Sequence, residues 1–197
     1  TYRHTLGSAI GITKKREADI AWIVTDSAEK FAFARPLPVS AIKDSTNHFY
    51  VRQAKQALSK IFDPEKGTQI DFNKWKMKSA VGGGPVLLQN GEIKITNNEE
   101  LKFAGKAIND KHPRTAMGYT KDGKLIILMI EGRNKLAHGA TLTQEAQIFK
   151  DLGCWEALNL DGGGSSCMLV NGKETIKVSD ATGQRAVPAV FIIKNHD

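Results

Sequence analysis

The sequence predicts an α+β fold of mixed, largely antiparallel sheets built from hairpins, with a few packed helices. Three observations carry that expectation. The dipeptides Asn90-Gly91, Asp122-Gly123 and Asn171-Gly172 each separate two β-prone segments. Residues 48–62 and 142–152 repeat apolar side chains at helical spacing. The string Asn159-Leu160-Asp161-Gly162-Gly163-Gly164-Ser165-Ser166 follows an apolar run, as a loop follows a strand.

In chain order, Ile20 to Thr25 and Lys30 to Ala34 read as a strand pair around Asp26-Ser27. From His48 to Phe62, Val51, Ala54, Leu58 and Ile61 fall on one face of a helix. Residues 63–78 read as irregular, because Asp63-Pro64 and Gly67 break periodicity while Lys74, Lys76 and Lys78 alternate with Trp75 and Met77. Three hairpins follow from the turn dipeptides: Pro85–Gln89 with Glu92–Thr96, Thr115–Thr120 with Lys124–Ile130, and Cys167–Val170 with Lys173–Val178. Asn-Gly and Asp-Gly suit type I′ turns, whose two central residues both need positive φ. A helix over Leu142–Leu152 is expected, with Thr141 and Gln144 as a capping box and Gly153 as its stop. It feeds a strand over Glu156–Leu160, and the apolar run Ala186–Ile193 reads as a last, buried strand.

The 197 residues fit one domain, 41% hydrophobic and 25% charged. No apolar stretch approaches the ~20 residues that cross a bilayer. The net charge of +7 favours anionic partners. The lysines are scattered along the chain and not interleaved with aromatics, so no nucleic-acid surface is expected. Cys154 and Cys167 read as small buried thiols rather than a disulfide, and neither has a Cys or His at metal-ligand spacing.

Chemistry is expected at the glycine loop. Each glycine forfeits about 0.5–1 kcal/mol relative to alanine within a regular element. Three in a row imply unusual backbone angles or close approach to main-chain N–H groups, which can form an anion-binding nest. The alternative is a plain tight turn with a capping Asp161. No Lys-Ser/Thr follows the glycines, the G-x-G-x-x-G spacing is absent, and there is no G-x-S-x-G, which excludes a Walker loop, a dinucleotide fingerprint and a nucleophile elbow. A second triplet, Gly82-Gly83-Gly84-Pro85, reads as a plain turn or as a loop that faces the first across one cleft. Arg114 and Arg133 flank the second hairpin at one end, with Glu131 two residues before Arg133, and guanidinium forks suit phosphate. His138 precedes the second helix, while Asp180 and Arg185 share the last loop. Asp161, Asn159 and Asp180 offer too few carboxylates for a hard cation, so no metal or other cofactor is expected.

These pieces occur in the order and spacing of a known family. Arg114-Thr115-Ala116-Met117-Gly118, Asp122-Gly123-Lys124, Glu131-Gly132-Arg133, Gly139-Ala140-Thr141-Leu142, Asn159 to Ser166, and Arg185-Ala186-Val187-Pro188 together resemble the phosphodiester glycosidases, over roughly residues 79–193. The resemblance implies hydrolysis of a phosphodiester at the anomeric carbon of a sugar, of the N-acetylglucosamine-1-phosphodiester type, releasing free sugar and a phosphomonoester. It implies a glycan or small-molecule substrate and a secreted or cell-envelope location. In this setting Asp161 and Glu131 are the expected catalytic carboxylates. Arg114, Arg133, Arg185, Thr115, His138 and the loop Gly162, Gly163, Gly164, Ser165 and Ser166 are the expected substrate and phosphate contacts. Two departures stand out. The family's Asn-Gly-Gly-Phe-Phe-like segment near the N-terminus does not occur here, so residues 1–197 are expected to be one domain lacking that segment, with which it would associate. Glu131 also stands where many relatives carry Asp. The alternative function is a non-catalytic anion- or glycan-binding module using the same loop and arginines.

Overall fold

A computed structural model of the chain describes residues 6–38, 47–58, 72–104 and 109–194. The architecture is α+β, as the hairpin signals predict. Two five-stranded sheets carry most of the chain, and every ladder in them is antiparallel. The first contains β1 (Leu6–Ile12), β2 (Ala18–Val24), β3 (Ala32–Arg35), β4 (Asn73–Trp75) and β5 (Ser79–Gly82), in the order β4-β3-β2-β1-β5. The second contains β6 (Val86–Gln89), β7 (Glu92–Ile93), β8 (Arg114–Thr120), β9 (Leu125–Ile130) and β10 (Cys154–Asn159), in the order β7-β6-β10-β8-β9. Helices α1 (Asn47–Leu58), α2 (Asn97–Glu100) and α3 (Leu142–Asp151) and a short ribbon of β11 (Leu169–Val170) and β12 (Lys173–Glu174) complete it.

The two sheets pack face to face. Ile10 and Ile20 of the first meet Val86, Met117 and Leu158 of the second. Side chains alternate along a strand, so Ile20, Trp22 and Val24 leave β2 on one face. Ile20 meets the second sheet, whereas Trp22 and Val24 pack on Tyr50 and Ala54 of α1. The outer face of the first sheet is lined by Ala9, Ala21 and Ala34, with Trp75 laid over them. The far face of the second sheet takes α3, whose Leu142, Ala146 and Phe149 bury against Leu87, Leu88, Ala116 and Ala157. A buried polar tie crosses between the sheets: Glu156 Oε2 accepts from the Ile20 amide of the first (3.2 Å) and, within the second, from the Tyr119 hydroxyl (2.6 Å). Burial, with Asp19 nearby, raises the Glu156 carboxyl above its ordinary range.

Several expectations change here. β1 was not foreseen, because Leu-Gly-Ser-Ala-Ile-Gly-Ile has the look of a loop. Its small residues are needed where Trp75 and Met77 cover it, since a Cβ on Gly11 would lie 2.4 Å from Met77 Cγ. Within the stretch read as irregular, 73–75 is a strand. Residues 59–71, which hold the end of the first expected helix and the rest of that stretch, lie outside the described residues. Asn90-Gly91 and Asn171-Gly172 have positive φ at both positions, as type I′ requires. At Asp122-Gly123 only Gly123 does, because the Asp122 carboxylate binds the Thr120 hydroxyl and the Lys124 ammonium and holds a different turn. The third hairpin shrinks to two residues a side. Ala186–Ile193 is not a buried strand: among the described residues it joins no ladder, and Val190, Ile192 and Ile193 are 71%, 67% and 72% exposed. Both cysteines are free, Cys154 buried and Cys167 half-buried.

Candidate functional site

The site lies where β10 ends and β8 begins. Asp161 stands two residues beyond β10, and after Gly162 the residues Gly163–Ser165 form one 3₁₀ turn. The turn is anchored to the start of β8, as the Gly163 amide donates to the Pro113 carbonyl (2.9 Å). Ser165 and Ser166 amides close on the carbonyls of Gly162 and Gly163 (3.2 and 3.1 Å). Three of the amides expected to form an open nest are therefore already bound.

The glycines instead admit neighbours. A Cβ on Gly162 would lie 2.7 Å from the Pro113 carbonyl oxygen, one on Gly163 3.1 Å from an Arg133 guanidinium nitrogen, and one on Gly164 1.9 Å from an Asp180 carboxylate oxygen. The triplet lets a backbone strand, a cation and an anion crowd one bend.

Asp161 is 66% exposed and pairs with Arg185 (3.2 Å). Ser165 Oγ donates to Asp161 Oδ2 (2.7 Å) and accepts from Arg185 Nη2 (2.7 Å), closing a three-membered cluster. Arg185 also donates to the Gly162 carbonyl (3.2 Å), so the last loop is laced onto the glycine turn. Beside it, Arg133 sits over Gly163, 3.9 Å from Asp180 Oδ1, and donates to His112 Nδ1 (3.2 Å). An arginine only donates, so Nδ1 is the accepting nitrogen and the ring proton is on Nε2. Burial, then Arg133 and Arg114, lower the His112 pKa, which keeps the ring neutral at neutral pH. His112 and Asp180 were absent from the expected site. The signal for His112 was its position directly ahead of Pro113-Arg114.

Other expected residues are placed differently. Arg114 is buried, and its guanidinium donates to the carbonyls of Ala140 (2.9 Å) and Asp110 (3.2 Å). The cause is strand alternation: Arg114 and Ala116 leave β8 toward α3, whereas Thr115 and Met117 face the other way. Arg114 is thus a strut behind His112 and Arg133 and makes no bond to Asp161. Next to it Glu145, fully buried in the first turn of α3, has no hydrogen-bond partner among the described residues on either carboxylate oxygen. Burial pushes its pKa up to about 8 against the pull of Arg114. Thr115 and Ser166 are buried and bonded to each other (3.0 Å). Both Glu131 oxygens are taken, one by the Asn134 amide (2.7 Å) and one by the Lys177 backbone N–H (3.1 Å). His138 is exposed and makes no hydrogen bond or ion pair among the described residues. The second triplet does abut the site: Gly84 N donates to the Asn159 carbonyl (2.7 Å), and the Asn159 amide returns a bond to Gly84 O (2.9 Å). Among the described residues no three His, Cys, Asp or Glu side chains gather as a metal ion would require.

Two stacked antiparallel sheets with an arginine-laced glycine turn at the end of β10 match a defined class. The model of the phosphodiester glycosidase family covers residues 38–194, and the chain belongs to that family. Among particular relatives, N-acetylglucosamine-1-phosphodiester alpha-N-acetylglucosaminidase of Mus musculus is 30% identical over 94 residues, 44% of this chain and 18% of that protein. The SPbeta prophage-derived protein YomE of Bacillus subtilis (strain 168), uncharacterised, is 39% identical over 85 residues, 43% of this chain and 13% of that protein. In fold, the chain resembles the catalytic domain of the zebrafish N-acetylglucosamine-1-phosphodiester enzyme, auto-inhibited by its pro-peptide (TM-score 0.52, 23% identity, 91% of this chain, 48% of that one). It also resembles a Burkholderia pseudomallei K96243 protein thought to be exported (TM-score 0.55, 19% identity, 93% and 56%). The aligned region is thus a small part of the curated relatives and about half of the solved ones.

Proposed function

We propose that this chain hydrolyses a phosphodiester at the anomeric carbon of a sugar, breaking the bond from that carbon to the phosphate oxygen. Water supplies the new hydroxyl at the carbon, and the bonding pair leaves with a phosphomonoester. The observation that carries this is the Asp161–Ser165–Arg185 cluster on the glycine turn, with Arg133 alongside, in a member of the phosphodiester glycosidase family. A phosphate is already a good leaving group, so the main demand is stabilisation of charge on it and on the oxocarbenium-like sugar. Arg185 and Arg133 are the exposed guanidinium groups at the turn and are assigned the phosphate. Asp161 is the exposed carboxylate and is assigned the anomeric carbon, as nucleophile or as base for water. Glu131, with both oxygens engaged, holds the 131–137 loop rather than the substrate. The named activity of the mouse and zebrafish relatives supports N-acetylglucosamine as the sugar, and the Burkholderia relative supports a location outside the cytoplasm.

The test is release of N-acetylglucosamine from UDP-N-acetylglucosamine or an aryl phosphodiester of the same sugar. Asp161→Asn is expected to lower turnover at least about 10²-fold without changing the melting temperature. Parental turnover in that variant would remove Asp161 from the mechanism. A protein that binds the sugar phosphates but releases no sugar would be a binding module instead.

A further inference from the structure

The lysines that look scattered in the sequence converge in the fold. The β1–β2 turn carries Lys14, Lys15 and Arg16, all exposed. It is closed by the Thr13 amide on the Glu17 carbonyl (2.9 Å) and the Arg16 amide on the Thr13 carbonyl (3.0 Å). The approach to β5 carries Lys76 and Lys78, also exposed. These segments are neighbours because Ile12 pairs with Ser79 and the Lys78 amide donates to the Ile12 carbonyl (2.8 Å). Trp75 and Met77 lie against Gly11, while Lys76 and Lys78 stay exposed between β4 and β5. Lys74 is used elsewhere, 5.0 Å from the Phe31 ring. Arg16 has φ +67°, a conformation that favours Gly or Asn, yet the position holds a third consecutive cation.

None of the five makes an ion pair among the described residues. Against them these segments offer Glu17, bound to Thr13, and Asp19, which accepts from the Trp75 indole N–H (2.6 Å). The result is a corner of five unpaired cations at one end of the first sheet. From it β5 runs about 13 Å, at 3.3 Å per residue, to the Gly82–Gly84 loop bonded to Asn159 ahead of Asp161.

We propose that this corner is a docking surface for a polyanionic glycan whose repeats are joined by phosphodiesters, so that one part of the polymer is held while another reaches Asp161. The partner's identity rests on the proposed activity. The patch itself does not. A polymer with one charge per repeat fits separate cations on two neighbouring segments, and each phosphate held releases counterions, which makes binding salt-dependent.

The experiment measures fluorescence anisotropy of a labelled N-acetylglucosamine-1-phosphate polymer. The same titration is run with a DNA duplex and with phosphatidylglycerol vesicles. The polymer is expected to bind the parent tightest, with affinity falling as salt rises. Lys14→Glu with Lys15→Glu and Lys76→Glu is expected to weaken it at least about tenfold, at an unchanged melting temperature. If the reversed protein does not fold, the same three positions changed to Gln carry the test, with a smaller loss expected. Polymer affinity within twofold of the parent in the folded variant would overturn the proposal, as would tighter binding to DNA or vesicles. Binding is read in the Asp161→Asn background, with and without the charge reversals, so cleavage of the polymer does not enter it; a protein that holds the polymer there while the parent cleaves no diester sinks the activity alone. A parent that cleaves a small diester while the variant holds polymer unchanged sinks the docking surface alone.

Discussion

Arg114 and Glu145 illustrate how one side chain's surroundings set its role. Arg114 looked like a phosphate ligand beside Arg133, but its face of β8 turns toward α3 and it ends on two backbone carbonyls. Glu145 faces it from α3, its carboxylate without a hydrogen bond among the described residues. With a pKa of about 8 against an ordinary 4.5, the folded chain keeps a proton that the unfolded chain releases between those values. The native state therefore binds more protons across that window, and stability falls as pH rises through it. At 1.36 kcal/mol for each tenfold change in proton affinity, that window corresponds to a ceiling of about 5 kcal/mol, with the attraction of Arg114 already included. Urea unfolding at pH 5 and pH 8 is expected to show the parent losing stability at the higher pH. Glu145→Gln is expected to flatten that difference, and an equally steep loss in the variant would place the titration elsewhere.

Among elements, the two glycine turns differ in what they tolerate. A Cβ on Gly83 would sit 2.4 Å from the Asn159 carbonyl oxygen, which is fixed in the ladder and cannot retreat. A Cβ on Gly164 would meet the end of the Asp180 side chain, which can swing away at the expense of its contact with Arg133. Gly83→Ala is expected to cost about 1–3 kcal/mol, as overpacking does, read as a lowered denaturant midpoint. Gly164→Ala is expected to leave that midpoint nearly unchanged while raising KM several-fold for phosphodiester substrates, because Arg133 loses the partner that aims it. The reverse pattern would mean that the second triplet, not the first, shapes the site. α3 acts at the same scale. Its capping box at Thr141 and Gln144 and its left-handed stop at Gly153 set the helix over Arg114 and deliver β10 to Asp161.

For the molecule as a whole, the contact between the sheets brings the parts into one frame. Leu158, fully buried between them, lies three residues before Asp161. Leu158→Ala is expected to destabilise by about 2–5 kcal/mol, seen as a large fall in melting temperature. Because Leu158 packs on Ile10, Ile20, Val86 and Met117 of the core, turnover well below the new melting temperature is expected to stay near the parental value. A selective loss of turnover would mean that Asp161 is aimed by core packing as well as by Ser165 and Arg185. The basic corner and the glycine turn also belong to this scale, since sheet pairing between residues far apart in sequence places both.

The parts of the fold written locally were legible. Asn90-Gly91 and Asn171-Gly172 specify their turns through left-handed backbone, Thr141 with Gln144 starts a helix through side-chain to backbone bonds, and the ordered motifs around Asp161 mark the family. The rest was not written locally. β1 carries no strand signal in the sequence and forms where Trp75 covers Gly11, and Ala186–Ile193 reads as a strand although no neighbour among the described residues pairs with it. The sequence by itself determined the fold class, the two Asn-Gly turns, α3 and the ordered motifs that mark the family. Tertiary structure alone decided that Arg114 supports while Arg133 and Arg185 present, and that dispersed lysines form one corner. The reason is that a side chain's direction follows from strand parity and from what packs against it, and both depend on partners many residues away.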